Sequence, residues 1–188
     1  QEAVPVGVGA MAAVLGLGAA EVMAGCAEAA LASGEVVEAV NFNDPAQTVI
    51  AGSKMGVEKA SEVLKAKGAK RCLPLPVSAP FHSSLMKPAA DKLRDKLNTL
   101  TFNAPKIPVI NNIDVAVQTS ADSIKDALYR QAFGPVRWVE CVQAIKARGV
   151  TQLIECGPGK VLAGLCKRID AELTAGAVFD PTSLAEAK

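Results

Sequence analysis

From Gly7 to Leu17 the chain is apolar and glycine-rich, GVGAMAAVLGL, and the run after Gly9 reads as a strand. Helical spacing follows over about 18–32, where Val22, Cys26, Ala29 and Ala30 share a face and Ser33-Gly34 supplies the stop. Val36 to Phe42 alternates as a strand, Asn43-Asp44-Pro45 reads as a turn, and Thr48 to Ala51 returns. A second helix is expected over about 53–66, with Val57, Ala60, Val63 and Leu64 inward and Gly68 beyond its end. The next strand should run from about Lys70 to Val77. Pro74 and Pro76 lack amide hydrogens, so it suits a sheet edge or a strand end. The order β-α-β-β-α-β is the ferredoxin-like split arrangement, and residues 5–78 are expected to form a small α+β domain.

Beyond residue 80 the pattern changes to helices alternating with short strands, which points to parallel α/β architecture. A helix is predicted over 85–97, with Pro88 in its first turn and Ala90, Leu93 and Leu97 inward. Ile107 to Ile110 reads as a short buried strand. Ser120 or Asp122 caps a helix running to Phe133, and another covers 136–147 with Trp138 and Ile145 facing inward. Thr151 to Cys156 is a strand, Gly157-Pro158-Gly159 turns, and a helix covers about 160–169. The polar tail from Asp180 is expected to fray. Two strands are too few for a complete parallel sheet, so other strands are expected to cover the exposed edges.

Composition narrows the function classes. Half of the 188 residues are apolar and 21% are charged, the balance of a globular domain. A net charge of +1 argues against nucleic-acid binding, which draws on a strong basic excess. No apolar run approaches the ~20 residues that cross a bilayer, so no membrane partner is expected. Five scattered cysteines and one histidine offer no zinc-ligand spacing. They read as reduced thiols in a cytoplasmic protein. Cys156, beside the Gly157-Pro158-Gly159 turn, is the one thiol worth testing as a nucleophile, against a plain strand-end role. Gly7-x-Gly9-x-x-Ala12, with Glu28 beyond, resembles a dinucleotide fingerprint. That motif needs a strand before its first glycine, whereas six residues precede Gly7 here and the run after Gly9 looks like the strand itself, so no cofactor is expected.

His82 is the single histidine, in the loop SAPFHSSLMKP between the proline-bearing strand and a helix start. An imidazole at such a junction can act as a general base, or serve as a half-buried loop residue. The segment SAPFHSSLMKPAADKL resembles the histidine motif of malonyl-CoA:acyl carrier protein transacylases. NFNDPAQTVIAG (41–52), GAKRCLPLPVS (68–78), FNAPKIPVINNID (102–114), RQAFGPVRW (130–138) and ECGPGKVLAGLCKRI (155–169) also look like family blocks, in family order. The family nucleophile is a serine in a G-H-S-x-G elbow, a string that these residues do not contain. The resemblance implies a C-terminal portion of such an enzyme, with serine, oxyanion-hole loop and malonyl-binding arginine upstream. It further implies that residues 79–188 are the second half of an α/β-hydrolase-like large subdomain, into which the ferredoxin-like one is inserted.

The resemblance also implies roles. His82 would take the serine proton and later activate the carrier thiol, the malonyl group passing from malonyl-CoA to acyl carrier protein. The main chain of Gln131, in the R-Q segment, would hold the other ring nitrogen. Phe81 would favour malonyl by filling the room of an α-methyl branch, or is simply core. Asn43 would bond the substrate or make an Asx-turn. Lys70 and Arg71, with Lys65, Lys67 and Lys87 near them, would dock the acidic carrier protein, or are a solvated helix end. Two rival readings are a carrier-protein binding module without chemistry and a nicotinamide-dependent enzyme.

Overall fold

The computed structural model describes residues 4–5, 7–77 and 79–187. The proposed boundary at Ser78 therefore falls outside the described residues. Elements in chain order are β1 (Gly9–Leu15), α1 (Ala19–Ser33), β2 (Val37–Asp44), β3 (Gln47–Ser53), α2 (Lys54–Ala66) and β4 (Arg71–Pro74). A single 3-10 turn (Ser84–Met86) leads into α3 (Lys87–Asn98), followed by α4 (Ala121–Gln131) and α5 (Trp138–Lys146). The last are β5 (Gln152–Cys156), α6 (Val161–Ile169), β6 (Thr174–Val178) and α7 (Pro181–Glu186).

The first four strands form an antiparallel sheet in the order β2-β3-β1-β4. Its interior strand β1 is buried on both faces, which is why GAMAAVL shows no polar alternation. Ala12 and Val14 face α1 and α2 in a core with Val22, Ile50 and Leu64. Met11 and Ala13 point the other way, to Val40, Val49 and Ala51, and this second face is covered by Leu75 and Phe81. The alternation of β1 thus prepares a seat for the segment that carries His82.

Local chemistry sets the helix ends. Ser53 Oγ caps α2 by accepting the Gly56 N–H at 3.0 Å, and Gly34, at φ +71, ends α1 in the left-handed region. Gly25 lets the two helices touch, since a Cβ there would lie 2.5 Å from Leu64 Cδ2.

The second half is a separate packing of helices around two strands. β5 and β6 pair in parallel and are joined through α6, a βαβ unit whose core is Val142, Ala163, Cys166, Leu173 and Ala175. It meets the first sheet at β2. Val136 donates to the Val40 carbonyl (2.8 Å), Phe42 donates to the Val136 carbonyl (2.9 Å), and Arg168 Nε donates to Asp44 at 2.7 Å. The architecture is mixed α/β. Among the described residues no helix is long and apolar enough to cross a membrane.

Several expectations are corrected. The strand expected at 107–110 does not form; only Ile110 bridges Val117, and Ile107 and Val109 are exposed. Pro105 and Pro108 remove donors from that stretch. The strand expected to reach Val77 pairs only through Pro74, where the first proline interrupts the ladder. The tail is not frayed: Asp180 caps α7, its Oδ1 accepting the Ser183 N–H at 2.7 Å. β6 is absent from the sequence reading because Thr-Ala-Gly-Ala-Val carries little strand propensity and gains its place by pairing.

Candidate active site

His82 occupies a tight turn that its neighbours hold from several sides. Ser83 donates its N–H (3.3 Å) and its hydroxyl (2.7 Å) to the Pro80 carbonyl, and Ser83 is fully buried. Within this four-residue turn His82 stands third with φ +66, where glycine is the usual residue. A residue with a Cβ costs about 1–2 kcal/mol in that conformation. Phe81 is the anchor on one side, packed against the open face of the sheet and against Val4, Ala79 and Met86. On the other side the Glu38 carboxylate, from β2, accepts the Ser84 N–H at 2.7 Å.

The ring itself is half-buried and bonds through Nδ1 to the main-chain carbonyl of Gln131 at 3.0 Å. A carbonyl can only accept, so Nδ1 carries the hydrogen, and the neutral ring presents its lone pair at Nε2. That carbonyl is available because Gln131 closes α4, whose last carbonyls have no intrahelical donor. The Gln131 side chain fixes the turn beyond, donating from Nε2 to the carbonyls of Gly134 (3.1 Å) and Pro135 (3.2 Å). Directly after Pro135, Val136 joins β2, so ring, helix end and sheet form one connected unit.

The remaining sequence candidates are placed less closely. Asn43, expected in a turn, lies at the end of β2 beside an irregularity between Phe42 and Asp44. The Asx-turn there is made by Asp44, whose Oδ1 accepts the Ala46 N–H at 2.9 Å. Among the described residues no hydrogen bond ties Asn43 to His82. Lys70 and Arg71 are exposed at the far end of the sheet. Pro80 lies over Gly9 and Arg71 faces Leu15, positions separated along β1 by roughly 20 Å at ~3.4 Å per residue. Sequence proximity to His82 is therefore not spatial proximity. Lys67 pairs with Glu28 at 2.8 Å, while Lys87 lies beside Tyr129 and Asp91. Cys156 is exposed at the end of β5 rather than buried, whereas burial pushes the Cys26 thiol up to about 12.

Sequence reasoning missed two groups. Glu38 sits on an alternating strand with no motif around it, and its tie to Ser84 spans 46 positions. Arg130, next to Gln131, makes a two-pronged bond to Asp114 (2.7 and 2.9 Å) and a third to Asp126 (2.7 Å). The spacing of Asp126 and Arg130 is that of adjacent helical positions and was legible. The partnership with Asp114 depends on the fold.

A proton acceptor with a fixed tautomer and an open lone pair suits proton transfer to and from a nucleophile. Comparison with known proteins agrees in kind. The acyl transferase domain profile matches residues 3–171. The chain is 56% identical over 187 residues to the malonyl CoA-acyl carrier protein transacylase of Escherichia coli strain K12, covering 100% of this chain and 60% of that relative. Among solved structures, the acyl-carrier-protein S-malonyltransferase of Burkholderia pseudomallei superposes with a TM-score of 0.95 at 68% identity, over 98% of this chain and 60% of that one. A malonyl-transacylase in complex with a type II PKS acyl-carrier protein superposes at 0.97 with 52% identity, over 100% and 60%. The chain thus spans about 60% of the length of the relatives it matches. With the profile covering nearly all of it, the chain belongs to the acyl transferase domain family.

Proposed function

We propose that the chain is the base-carrying part of a malonyl-CoA:acyl carrier protein transacylase of fatty acid synthesis. The observation that carries this reading is the Nδ1 bond from His82 to the Gln131 carbonyl, which leaves Nε2 as the acceptor. The nucleophile is a serine of a G-H-S-x-G elbow, a string absent from these 188 residues. Nε2 takes the serine proton as Oγ attacks the thioester carbon of malonyl-CoA. The tetrahedral intermediate collapses, the C–S bond breaks, and Nε2–H protonates the departing CoA thiolate. The phosphopantetheine thiol of the carrier protein then gives its proton to Nε2 and attacks the malonyl-serine ester. Serine regains its proton as it leaves. Every proton is carried by one ring, so the chemistry calls for no cofactor.

In this reading residues 5–78 are a ferredoxin-like small subdomain and residues 79–188 the C-terminal part of an α/β-hydrolase-like large one. The sheet order β2-β3-β1-β4 and the βαβ unit support that division. Five free thiols fit a cytoplasmic setting. A binding module without chemistry would leave the held tautomer of His82 without a purpose. Asn43, at the strand end, is assigned to substrate bonding.

The test is intact-mass analysis of the complete enzyme after mixing with malonyl-CoA, and again after adding carrier protein. One malonyl group should appear on the serine-bearing polypeptide and then leave for the carrier. A protein that never gains the group would sink the reading. Lys70 and Arg71 are proposed to dock the acidic carrier, whose prosthetic arm then spans the distance to His82. A relative solved with a carrier protein supports an acceptor of that kind. Reversing both charges should slow the second half of the same experiment at low salt and leave serine loading untouched. An unchanged second half would remove these two residues from the docking surface.

Phe81 is proposed to set the preference for malonyl. Its ring packs into two clusters, so truncation costs stability as well as shape. The ratio of rates with methylmalonyl-CoA and malonyl-CoA is independent of how much enzyme is folded. Phe81→Ser should raise that ratio by about tenfold or more, and a constant ratio refutes the role.

A further inference from the structure

Among the described residues, two that are not glycine lie in the left-handed region, His82 at φ +66 and Val115 at φ +57. A β-branched residue there is an outlier, and such conformations persist only where neighbours over-determine them. Val115 lies in a loop closed on itself. Its N–H donates to the Asn111 carbonyl (3.1 Å), and both the Asn111 N–H and its Nδ2 donate to the Ala116 carbonyl (3.1 Å each). The Asp114 N–H donates to Asn111 Oδ1 at 2.7 Å. What this loop presents is the Asp114 carboxylate, which takes both guanidinium prongs of Arg130 and a bond from Gln118 Nε2 at 3.2 Å. Arg130 spends its third donor on Asp126.

Arg130 is bonded through a single peptide link to Gln131, the residue that holds the His82 ring. The end of α4 is held by Tyr129, which packs edge-on against Phe133 and donates to Asp91, by the Gln131 side chain, and by the clamp on Arg130. We propose that Arg130, held by Asp114 and the strained Asn111–Val117 loop, is a positioning residue for His82: it fixes the end of α4 so that the Gln131 carbonyl meets Nδ1. The inference rests on the reading of His82 as the base. The guanidinium bonds hold the Asp114 carboxyl below the usual carboxylate range, so the pair is charged throughout neutral pH. The planar fork matters because two parallel bonds fix direction as well as distance, which an ammonium cannot do.

The experiment uses the complete enzyme with Arg130→Ala, Arg130→Lys, Asp114→Asn and His82→Asn, measuring kcat and KM for malonyl-CoA. Arg130→Ala should lower kcat by roughly 10- to 100-fold, the scale of a small misplacement of a catalytic group. KM for malonyl-CoA should stay within about twofold, because the guanidinium is committed to Asp114 and Asp126. Added guanidinium should restore part of the Arg130→Ala rate, and Arg130→Lys should remain well below the parent. A parental kcat in Arg130→Ala, or a loss that follows only the folded fraction and resists guanidinium, overturns the proposal. If Arg130→Ala does not fold, a folded Asp114→Asn must show the kcat loss, and a parental kcat there overturns it equally. A parental rate in His82→Asn would instead overturn the reading of the base itself.

Discussion

Replacing His82 with asparagine in the complete enzyme is expected to lower malonyl transfer by about 10²- to 10⁴-fold, the range that a positioned base contributes. Asparagine isolates the chemistry from the fold. It is among the residues that tolerate φ +66, and its amide can donate to the Gln131 carbonyl as Nδ1–H does now. It has no counterpart of Nε2. In the proposed mechanism the same nitrogen moves the proton in each half-reaction, so both should slow together. The thermal midpoint should stay near the parent value. Stopped-flow measurement of CoA release and of transfer to the carrier separates the two halves. Loss in only one would mean that another group moves the proton in the other.

The second large effect concerns the fold. Gly52→Ala should destabilise the protein by ~3 kcal/mol or more, a large share of the 5–15 kcal/mol that a domain has in hand. A Cβ at Gly52 would lie 2.0 Å from the Val36 carbonyl oxygen and 2.7 Å from Val37 Cα. Both are backbone, so no side-chain rotation relieves the overlap. The Val36 carbonyl is also fixed, accepting the Ser53 N–H at 2.9 Å, and a Cβ at Gly56 would meet it at 2.6 Å. β2 would have to leave its place beside β3, taking with it Glu38, which holds the amide just beyond the histidine turn. Gly34→Ala is the contrast. Gly34 has open space around it, so only the cost of φ +71 applies, about 1–2 kcal/mol. Urea midpoints of the two variants should rank in that order. Equal midpoints would show that the strand pair yields more readily than its backbone contacts imply.

Much of this was legible in the chain. The apolar run after Gly9 read as a strand, and the helices of the first half ended within a residue or two of Gly18, Gly34, Ser53 and Gly68. These are local signals, since caps, left-handed glycines and periodicity act within a few positions. The proposed site residues His82, Phe81 and Gln131 were named through motif resemblance, and the structure brings His82 to the Gln131 main chain. Lys70 and Arg71 illustrate the limit. They stand close to His82 in sequence, yet an extended strand carries neighbours apart at about 3.3 Å per residue.

What the sequence determined by itself is the secondary structure of the first half and the identity of its one imidazole. What only the tertiary structure decided is how that imidazole is made useful. The tautomer of His82 follows from an orphaned carbonyl 49 positions away. The place of that carbonyl is tied to an ion pair between Arg130 and Asp114, and the turn is gripped by Glu38 from another strand. β6 likewise exists because β5 offers it a ladder, not because of its own residues. Each is a contact between distant segments, whose free energy is gained only after the intervening chain has folded, so no local pattern announces it.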